Sequence, residues 1–258
     1  MKKRPRPIED EIFVCIDCEA TGLDPKNDRI VEIAAATFTI KDILEQMDAL
    51  VNPEYPIPES SIAIHNITPD MVAKEPTIKE TLPEFLEFIG NHTIVGHNIK
   101  YDIDIIAHTA KREGIPCRLH NNQSIDTLRL ARLYGESPSN SLEQLREHFN
   151  IDFEGAHRAL NDVVVNIEVF RYLSQRFNTS SQILKTLEKP IALKYMPLGK
   201  HKGRLMKEVP LEYLKWAANK DFDVDLLYSV RSELKRRKTK KDFGLSTNPF
   251  HNLTWDEE

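Results

Sequence analysis

The first 51 residues carry three apolar segments separated by short polar turns. Residues 11–17 form a near-continuous apolar run, which is typical of a strand buried on both faces. Residues 29–40 and 44–51 predict two further strands, and turn-forming residues over 21–25 separate the first strand from the second. Because the connections are short, the pattern favours antiparallel pairing of these three strands.

From residue 68 onward, strands and helices are predicted in alternation. Thr68 before Pro69, and Ser141 before a run of helix-forming residues, have side chains that are preferred at helix N-termini. The apolar spacing predicts strands over 93–97 and 124–126 and helices over 77–89, 101–112, 127–134, 141–149 and 159–177. Three strands followed by alternating strand and helix predict an α/β fold in which a mixed sheet carries helices on both faces.

The remaining residues divide by composition and charge. We expect the first domain to span 8–178, a linker containing a short helix to follow over 179–190, and a small module to occupy 191–241. Residues 194–241 hold 14 Lys and Arg against six Asp and Glu, although the whole chain has a net charge of −5. Such a basic module favours a polyanionic partner, and a solvated helix face is the alternative. Residues 242–258 are predicted to form a disordered tail.

Composition excludes several classes of protein. No apolar run approaches the ~20 residues that a membrane span requires, and acidic residues rather than an apolar stretch follow the basic N-terminus. We therefore expect a cytoplasmic protein without a secretory signal. Cys15 and Cys18 have C-x-x-C spacing, but residues three apart on a strand face opposite sides, which disfavours a redox or zinc site.

Two carboxylates stand at the carboxyl end of the first predicted strand. Asp17 and Glu19 are two residues apart, so their side chains point to the same face of the sheet. Ligands of α/β sheets bind at such strand ends. Taken alone, the pair has an equally good interpretation as a cap for the following turn.

Two further carboxylates and a histidine follow other strand and helix ends. Asp102 comes just after the strand at 93–97, although helix N-termini favour carboxylates in any case. Asp162 comes five residues after His157, a residue type whose ordinary pKa of about 6.5 suits a general base. Four carboxylates brought together repel one another, and divalent cations resolve the conflict. Two Mg²⁺ ions held by oxygen ligands make a phosphodiester-cleaving site.

In this order, the motifs resemble those of the DEDDh 3′–5′ exonucleases. This family of ribonuclease H-like fold includes the epsilon proofreading subunit of bacterial DNA polymerase III, ribonuclease T and oligoribonuclease. The resemblance covers residues 10–177. Residues 16–23 (IDCEATGL) are similar to the family's D-x-E-T-T-G, with Ala20 where Thr is usual. Residues 96–102 (GHNIKYD) are similar to H-N-x-x-F-D, and residues 156–162 (AHRALND) to H-x-A-x-x-D.

The resemblance implies a ribonuclease H-like mixed five-stranded sheet with an antiparallel second strand and flanking helices. It also implies two Mg²⁺ ions, for which Mn²⁺ is an acceptable substitute, and His157 as the general base. The implied metal ligands are Asp17, Glu19, Asp102 and Asp162. Residues 64–68 (IHNIT) resemble the family's H-x-I-T segment near the substrate. The residues expected at the substrate are Ala20, Thr21, Gly22, Leu23, Ile64, His65, His97, Asn98 and Tyr101.

The basic C-terminal module resembles the quorum-sensing-regulated virulence factor domain, a small domain of unknown function, in its MPLGKHKGR and YLKW segments. Lys200, Lys202 and Arg204, around two glycines, are suited to grip a phosphate backbone. Tyr213 and Trp216 are suited to stack on bases, but their spacing is as good for packing, and we expect Trp216 in the core. A docking or folding appendage is the alternative to nucleic-acid binding.

The predicted function is metal-dependent 3′–5′ hydrolysis of DNA with release of nucleoside 5′-monophosphates, in proofreading or repair. The first alternative is an RNA exonuclease similar to ribonuclease T or oligoribonuclease. The second is a non-catalytic scaffold or binding subunit of a polymerase assembly. Nucleic acid is the expected partner, with DNA favoured over RNA, and a DNA polymerase subunit is a further candidate. No membrane partner is expected, and the sequence predicts no oligomeric state.

Overall fold

A computed structural model of the chain describes residues 6–137, 139–152 and 158–246, with side chains described as far as residue 239. The chain divides into two compact units, one ending at Glu188 and the other beginning at Lys189. Each unit has a hydrophobic core of its own.

The first unit is built on one five-stranded sheet. Its strands are β1 (Phe13–Ala20), β2 (Ile30–Phe38), β3 (Ile43–Leu50), β4 (Thr93–Gly96) and β5 (Ser124–Asp126). In the sheet they follow the order β3-β2-β1-β4-β5. β2 pairs antiparallel with β1 and β3, whereas β1, β4 and β5 run parallel. The predicted mixed sheet with an antiparallel second strand is confirmed.

Eight helices are described in the first unit. They are α1 (Glu59–His65), α2 (Pro69–Val72), α3 (Ile78–Ile89), α4 (Lys100–Glu113), α5 (Thr127–Tyr134), α6 (Leu142–His148), α7 (Ala159–Ser174) and α8 (Ser180–Leu187). α3 begins at a capping box formed by Thr77 and Glu80, and α4 ends at Gly114, whose φ of 70° is the left-handed conformation that favours glycine. The apolar periodicity did not predict α1, because its large apolar residues, Ile62 and Ile64, are two apart and so lack helical spacing.

Both faces of the sheet are covered. On one face, Val14 and Ile16 of β1 pack in a cluster with residues of α3 and α4, including Phe85. On the other face, the ring of Phe13 lies 5.2 Å from that of Phe170 on α7, measured between centroids, and Phe38 of β2 completes the aromatic group. This two-sided burial explains the continuous apolar run of β1 and confirms the predicted helices on both faces.

The segment predicted as a linker, 179–190, contains α8, which belongs to the first unit. The side chain of Thr179 caps this helix by accepting a hydrogen bond from the Gln182 N–H, at 3.3 Å. Ile183 and Leu187 are buried. The prediction of a linker is therefore wrong for α8, because its apolar side chains pack and the division lies only after Glu188.

The second unit contains two longer helices after a loop with two short 3₁₀ turns. The helices are α9 (Leu211–Ala217) and α10 (Val224–Ser246), and the turns are Gly199–His201 and Met206–Glu208. Its core includes Met196, Leu214 and Val230. Because α10 continues to Ser246, residues 242–246 of the predicted disordered tail are helical. Residues 247–258 lie outside the described part of the chain.

Cys15, Cys18 and Cys117 are free thiols, and the first two point to opposite faces of the sheet, as their spacing on the strand predicted. Cys18 packs in the cluster with α3 and α4, whereas the Cys15 sulfur accepts a hydrogen bond from Asn166 of α7. Within the described ranges, no helix is both long and apolar enough to cross a bilayer.

Candidate active site

Three of the predicted metal ligands meet at the carboxyl end of β1. Asp17 and Glu19 lie on that strand, and Asp162 lies in the first turn of α7. One carboxylate oxygen from each lies within 4.8 Å of those of the other two. The pairing register of β1 with β2 shifts between Glu19 and Ala20, so the ladder is interrupted beside these side chains. Bulges of this kind often re-aim side chains beside active sites.

Asp102, the fourth predicted ligand, lies in the first turn of α4 and is 4% exposed. Its Oδ1 accepts a hydrogen bond from the backbone N–H of Cys18, at 3.1 Å. Cys18 stands between Asp17 and Glu19, so this bond brings Asp102 to the strand that carries them. Its oxygens lie outside the group of three, and its role as a metal ligand stays a prediction.

The carboxylates of this site resist ionisation. Burial raises the pKa of Asp17 well above its ordinary value, and the charges of Asp102 and Asp162 raise it further. The pKa of Glu19 is raised to about 7, first by burial and then by Asp162 and Glu32. Burial also raises the pKa of Asp102. Carboxylate oxygens that lie close together repel one another because they carry the same charge. A hard divalent cation binds such oxygens and supplies the positive charge that they lack.

Glu32 of β2 is a fifth carboxylate beside this group, and the sequence did not single it out. It is 1% exposed. One oxygen accepts hydrogen bonds from Nε and Nη2 of Arg158, at 2.9 and 2.6 Å, and the other accepts the backbone N–H of Ala159, at 2.9 Å. Glu32 therefore holds the start of α7, the helix that carries Asp162. Its pairing opposite Glu19 exists only in the folded sheet, so the sequence offered no signal for this role.

His157, the predicted general base, lies outside the described residues. Its neighbour in the sequence, Arg158, is described and is the residue bound by Glu32. The assignment of His157 therefore stays a prediction.

The predicted pair His97 and Asn98 follows β4. The Asn98 side chain is exposed, its φ is 60°, and its N–H donates to Oδ1 of Asp126, at 3.0 Å. His97 Nδ1 lies 3.1 Å from Oγ1 of Thr127. Burial lowers the pKa of His97 to about 4, so the ring is neutral at pH 7. Asp126, missed by the sequence reasoning, anchors this loop from the end of β5.

The predicted substrate segment 20–23 forms the turn after β1. Thr21 is 2% exposed and donates through its hydroxyl to Asp28, at 3.0 Å, while Leu23 is 88% exposed. A side chain at Gly22 would collide with Asp28, which explains the glycine. Tyr101 of α4 donates its hydroxyl to the Gly22 carbonyl, at 2.6 Å, so that it supports the turn. Ala20 packs against the core cluster of β1.

The predicted pair in the segment 64–68 separates into an exposed and a buried residue. Ile64 is 57% exposed, whereas His65 is 1% exposed. Nδ1 of His65 accepts the N–H of Ile67, at 3.0 Å, which stabilises the link between α1 and α2. His65 thus supports the local backbone through one ring nitrogen, and its predicted contact with substrate stays a prediction.

The predicted contacts of the second unit are all at its surface. Lys200, Lys202 and Arg204 are exposed. Trp216 is 48% exposed, so the prediction that it lies in the core is wrong. Leu214 and Ala217 face the core from the same helix instead, and they turn Trp216 outward.

Comparison with known families finds two matching sequence profiles. The sequence profile described as "Exonuclease" matches residues 14–170, which cover all the strands and the site. A profile described as "Putative quorum-sensing-regulated virulence factor" matches residues 183–227.

Two relatives illustrate the likeness in sequence. DNA polymerase III subunit epsilon of Aquifex aeolicus is 38% identical over 178 residues, which are 66% of this chain and 87% of that protein. DNA polymerase III PolC-type of Clostridium perfringens is 30% identical over 226 residues, which are 86% of this chain and only 15% of that protein. The chain therefore spans most of the first relative and a small part of the second.

Solved structures show the same fold. Exonuclease X in complex with 5′ overhanging duplex DNA matches with a TM-score of 0.53 and 28% identity, covering 67% of this chain and 98% of that one. Escherichia coli exonuclease I in complex with a dA16 oligonucleotide matches with a TM-score of 0.60 and 19% identity, covering 69% and 43%. At 19% identity, the match to exonuclease I supports only the ribonuclease H-like fold. Because the exonuclease profile spans more than half of its length, this chain belongs to the exonuclease family, as a divalent-metal-dependent 3′–5′ exonuclease.

Proposed function

We propose that this exonuclease acts on DNA, removing nucleoside 5′-monophosphates from the 3′ end in proofreading or repair. The observation that carries the proposal is the meeting of Asp17, Glu19 and Asp162 within 4.8 Å at the end of β1. The choice of DNA is supported by relatives named as DNA polymerase III subunits and by a solved neighbour bound to duplex DNA.

Within this proposal, four carboxylates hold two Mg²⁺ ions, for which Mn²⁺ substitutes. Asp17, Glu19 and Asp162 offer oxygens from one cluster, and Asp102 offers its own from beside Cys18. When bound, such a pair of ions stabilises the attacking and leaving oxygens of phosphodiester hydrolysis. The residues present fit this role because ionised carboxylates are the oxygen ligands that Mg²⁺ prefers, and because these carboxylates repel one another without a cation.

The remaining residues orient the chain end and move the proton. His157 accepts the proton of the attacking water, a role for which imidazole is suited near neutral pH. Leu23 and Ile64 present exposed apolar side chains against which a terminal base packs. Asn98, also exposed, is an available hydrogen-bonding group, and Asp126 fixes its backbone.

The two alternatives receive less support. The epsilon and PolC relatives are named for DNA polymerase III, which gives an RNA exonuclease no comparable backing. A non-catalytic scaffold does not need carboxylates that repel one another, because leaving them uncompensated costs stability. Attachment to a DNA polymerase assembly and a cytoplasmic location remain part of the proposal, and the Lys200, Lys202 and Arg204 contacts stay predictions.

The proposal is tested by parallel digestion of matched 5′-labelled DNA and RNA oligonucleotides, with Mg²⁺ and with chelator. We expect stepwise shortening of the DNA from its 3′ end, release of nucleoside 5′-monophosphates, and no reaction in chelator. Asp17→Asn and Asp162→Asn should each abolish the reaction, whereas Glu45→Gln, an exposed acid on β3, should not. Faster digestion of the RNA would reject DNA as the substrate, and undiminished digestion by Asp17→Asn would reject the mechanism.

A further inference from the structure

The second unit has a group of aromatic side chains at its surface, beside its hydrophobic core. Leu214 and Ala217 of α9 are buried in the core cluster. Tyr213 and Trp216, three residues apart, share a neighbouring face of the same helix. Tyr213 is partly buried, whereas Trp216 is 48% exposed. A large ring left at the surface forgoes stabilisation that burial would provide, and such rings are enriched where a partner binds.

Four rings form a continuous row on this surface. The His201 ring lies edge-on to Tyr213, with centroids 4.6 Å apart. Tyr213 and Trp216 are 5.0 Å apart, and Trp216 and Phe222 are 6.2 Å apart. These contacts fix the orientation of the rings, so a ligand that packs on them orders few side chains on binding.

Cations flank the row. The ammonium groups of Lys200 and Lys220 lie 5.4 Å from the Tyr213 centroid and 5.3 Å from the Trp216 centroid, respectively. Lys202 and Arg204, on the same loop as Lys200, are exposed. Gly199, with a φ of 71°, lets this loop approach, because a side chain there would collide with the Tyr213 hydroxyl. The loop therefore brings its positive charges to the aromatic row by close packing.

We propose that the row His201–Tyr213–Trp216–Phe222, with its flanking lysines, is a binding surface of the second unit for single-stranded nucleic acid. Stacking on exposed rings combined with cations for the phosphates is how single strands are held without regard to sequence. Several other basic residues of the unit serve its own structure. Arg236 and Arg237, for example, donate to Glu233, and Arg237 also donates to the Val209 carbonyl. These two arginines are thus engaged within the unit, whereas Lys202 and Arg204 are exposed on the loop.

The test measures binding of the full chain to a 5′-fluorescein single-stranded oligonucleotide by anisotropy, in chelator so that no cleavage occurs. Trp216→Ala should weaken binding about 5- to 100-fold, the usual range for one base–aromatic stack. Trp216→Phe should retain most of the affinity. Leu211→Ala is the matched control, because Leu211 is exposed on the same helix but lies about 140° around its axis from Trp216. Lys220→Gln should lower the salt dependence by about 0.7 in log–log slope.

Two further measurements separate this surface from the nuclease centre and from misfolding. Hydrolysis of a mononucleotide ester in Mg²⁺, which needs no extended strand, should be the same for Trp216→Ala and the unsubstituted chain. In a Trp255→Phe background, where Trp216 is the sole tryptophan, the oligonucleotide should quench its fluorescence. Equal affinities of Trp216→Ala and Leu211→Ala, or unquenched fluorescence at saturation, would overturn the proposal and leave the row as a protein-binding surface or internal packing.

Discussion

Glu32 joins two parts of the site that the sequence holds far apart. It stands on β2 opposite Glu19, and its oxygens accept hydrogen bonds from Arg158 and Ala159, 126 and 127 residues away. A lone glutamate in an apolar strand carries no sign of such partners until the chain has folded. Asp17, Glu19 and Asp162 were predictable because their spacing from strand and helix ends is a local property, whereas the functions of Glu32 and Asp126 are not.

We predict that Glu32→Gln lowers kcat and weakens the apparent affinity for Mg²⁺ by about 10- to 100-fold, the usual effect of removing a group that orients metal ligands. Gln retains an acceptor for the Ala159 N–H but loses the ion pair with Arg158. KM for the oligonucleotide should not change, because Glu32 is buried away from solvent. The readout is a Mg²⁺ titration of steady-state rates, with Glu45→Gln as control. Unchanged Mg²⁺ dependence would show that Glu32 only fills space.

For His157, we predict that substitution by Ala lowers turnover about 10²- to 10⁴-fold, the usual contribution of a general base. The metal ligands remain, so the rise in unfolding temperature caused by Mg²⁺ should persist in this variant. Single-turnover digestion of the labelled oligonucleotide gives the rate. A loss of the metal-dependent rise would instead assign His157 to metal binding.

At the level of elements, the apolar pattern predicted every strand and most helices of the first unit, because apolar runs and apolar spacing are local properties of the sequence. It failed where tertiary contacts decide. The short helix predicted within 179–190 is present as α8, but the pattern did not show that this helix packs into the first unit through Ile183 and Leu187. The sequence predicted Trp216 in the core, but Leu214 and Ala217 occupy the inward face of α9. Helical periodicity defines a face, and only the packed structure shows which face is inward.

α10 depends on one buried acid. Glu233 is 8% exposed and accepts hydrogen bonds from Arg236 and Arg237, at 2.7 Å each. Arg237 in turn donates to the Val209 carbonyl, at 2.9 Å, which ties α10 to the loop before α9. Hydrogen bonds from Arg236, followed by those from Arg237, lower the pKa of Glu233 to about 2.

We predict that Glu233→Gln destabilises the second unit by about 1.5 kcal/mol at pH 7, the low end for hydrogen bonds to charged groups, because Arg236 is partly exposed. Because the folded pKa lies below the ordinary value of 4.5, this contribution is present above pH 4.5 and is lost as the pH falls towards 2. Urea unfolding of the full chain at pH 7 and at pH 3, followed by far-UV circular dichroism, gives the difference. A variant effect of the same size at both pH values would contradict the ionic origin.

Across the whole molecule, the carboxylate cluster opposes folding unless a cation is bound. The folded pKa of Glu19, about 7, lies above its ordinary value of 4.5, so the folded state holds more protons between these values. Stability without metal therefore falls as the pH rises through that window. A cation that binds only the folded cluster reverses the loss.

We predict that, in chelator, the unfolding temperature of the first unit falls from pH 4.5 to 7, and that saturating Mg²⁺ raises it at pH 7. Asp17→Asn removes one of the repelling charges, so its unfolding temperature without metal should be higher and its response to Mg²⁺ smaller. Scanning calorimetry of the full chain in both conditions measures the effect. If the unfolding temperature changed neither with pH nor on addition of Mg²⁺, the carboxylates would not share a metal site.

The edge strand β3 disfavours edge-to-edge pairing of the sheets of two copies of this chain. Among the residues that the structure describes, β3 pairs on one side only, with β2, and it exposes Glu45, Gln46 and Asp48. If the β3 strands of two copies paired, the acidic side chains of one copy would lie against those of the other. The electrostatic repulsion between them would grow with each added strand. This edge of the sheet is thereby disfavoured as a template for aggregation, and substituting Val for both Glu45 and Asp48 should weaken that protection.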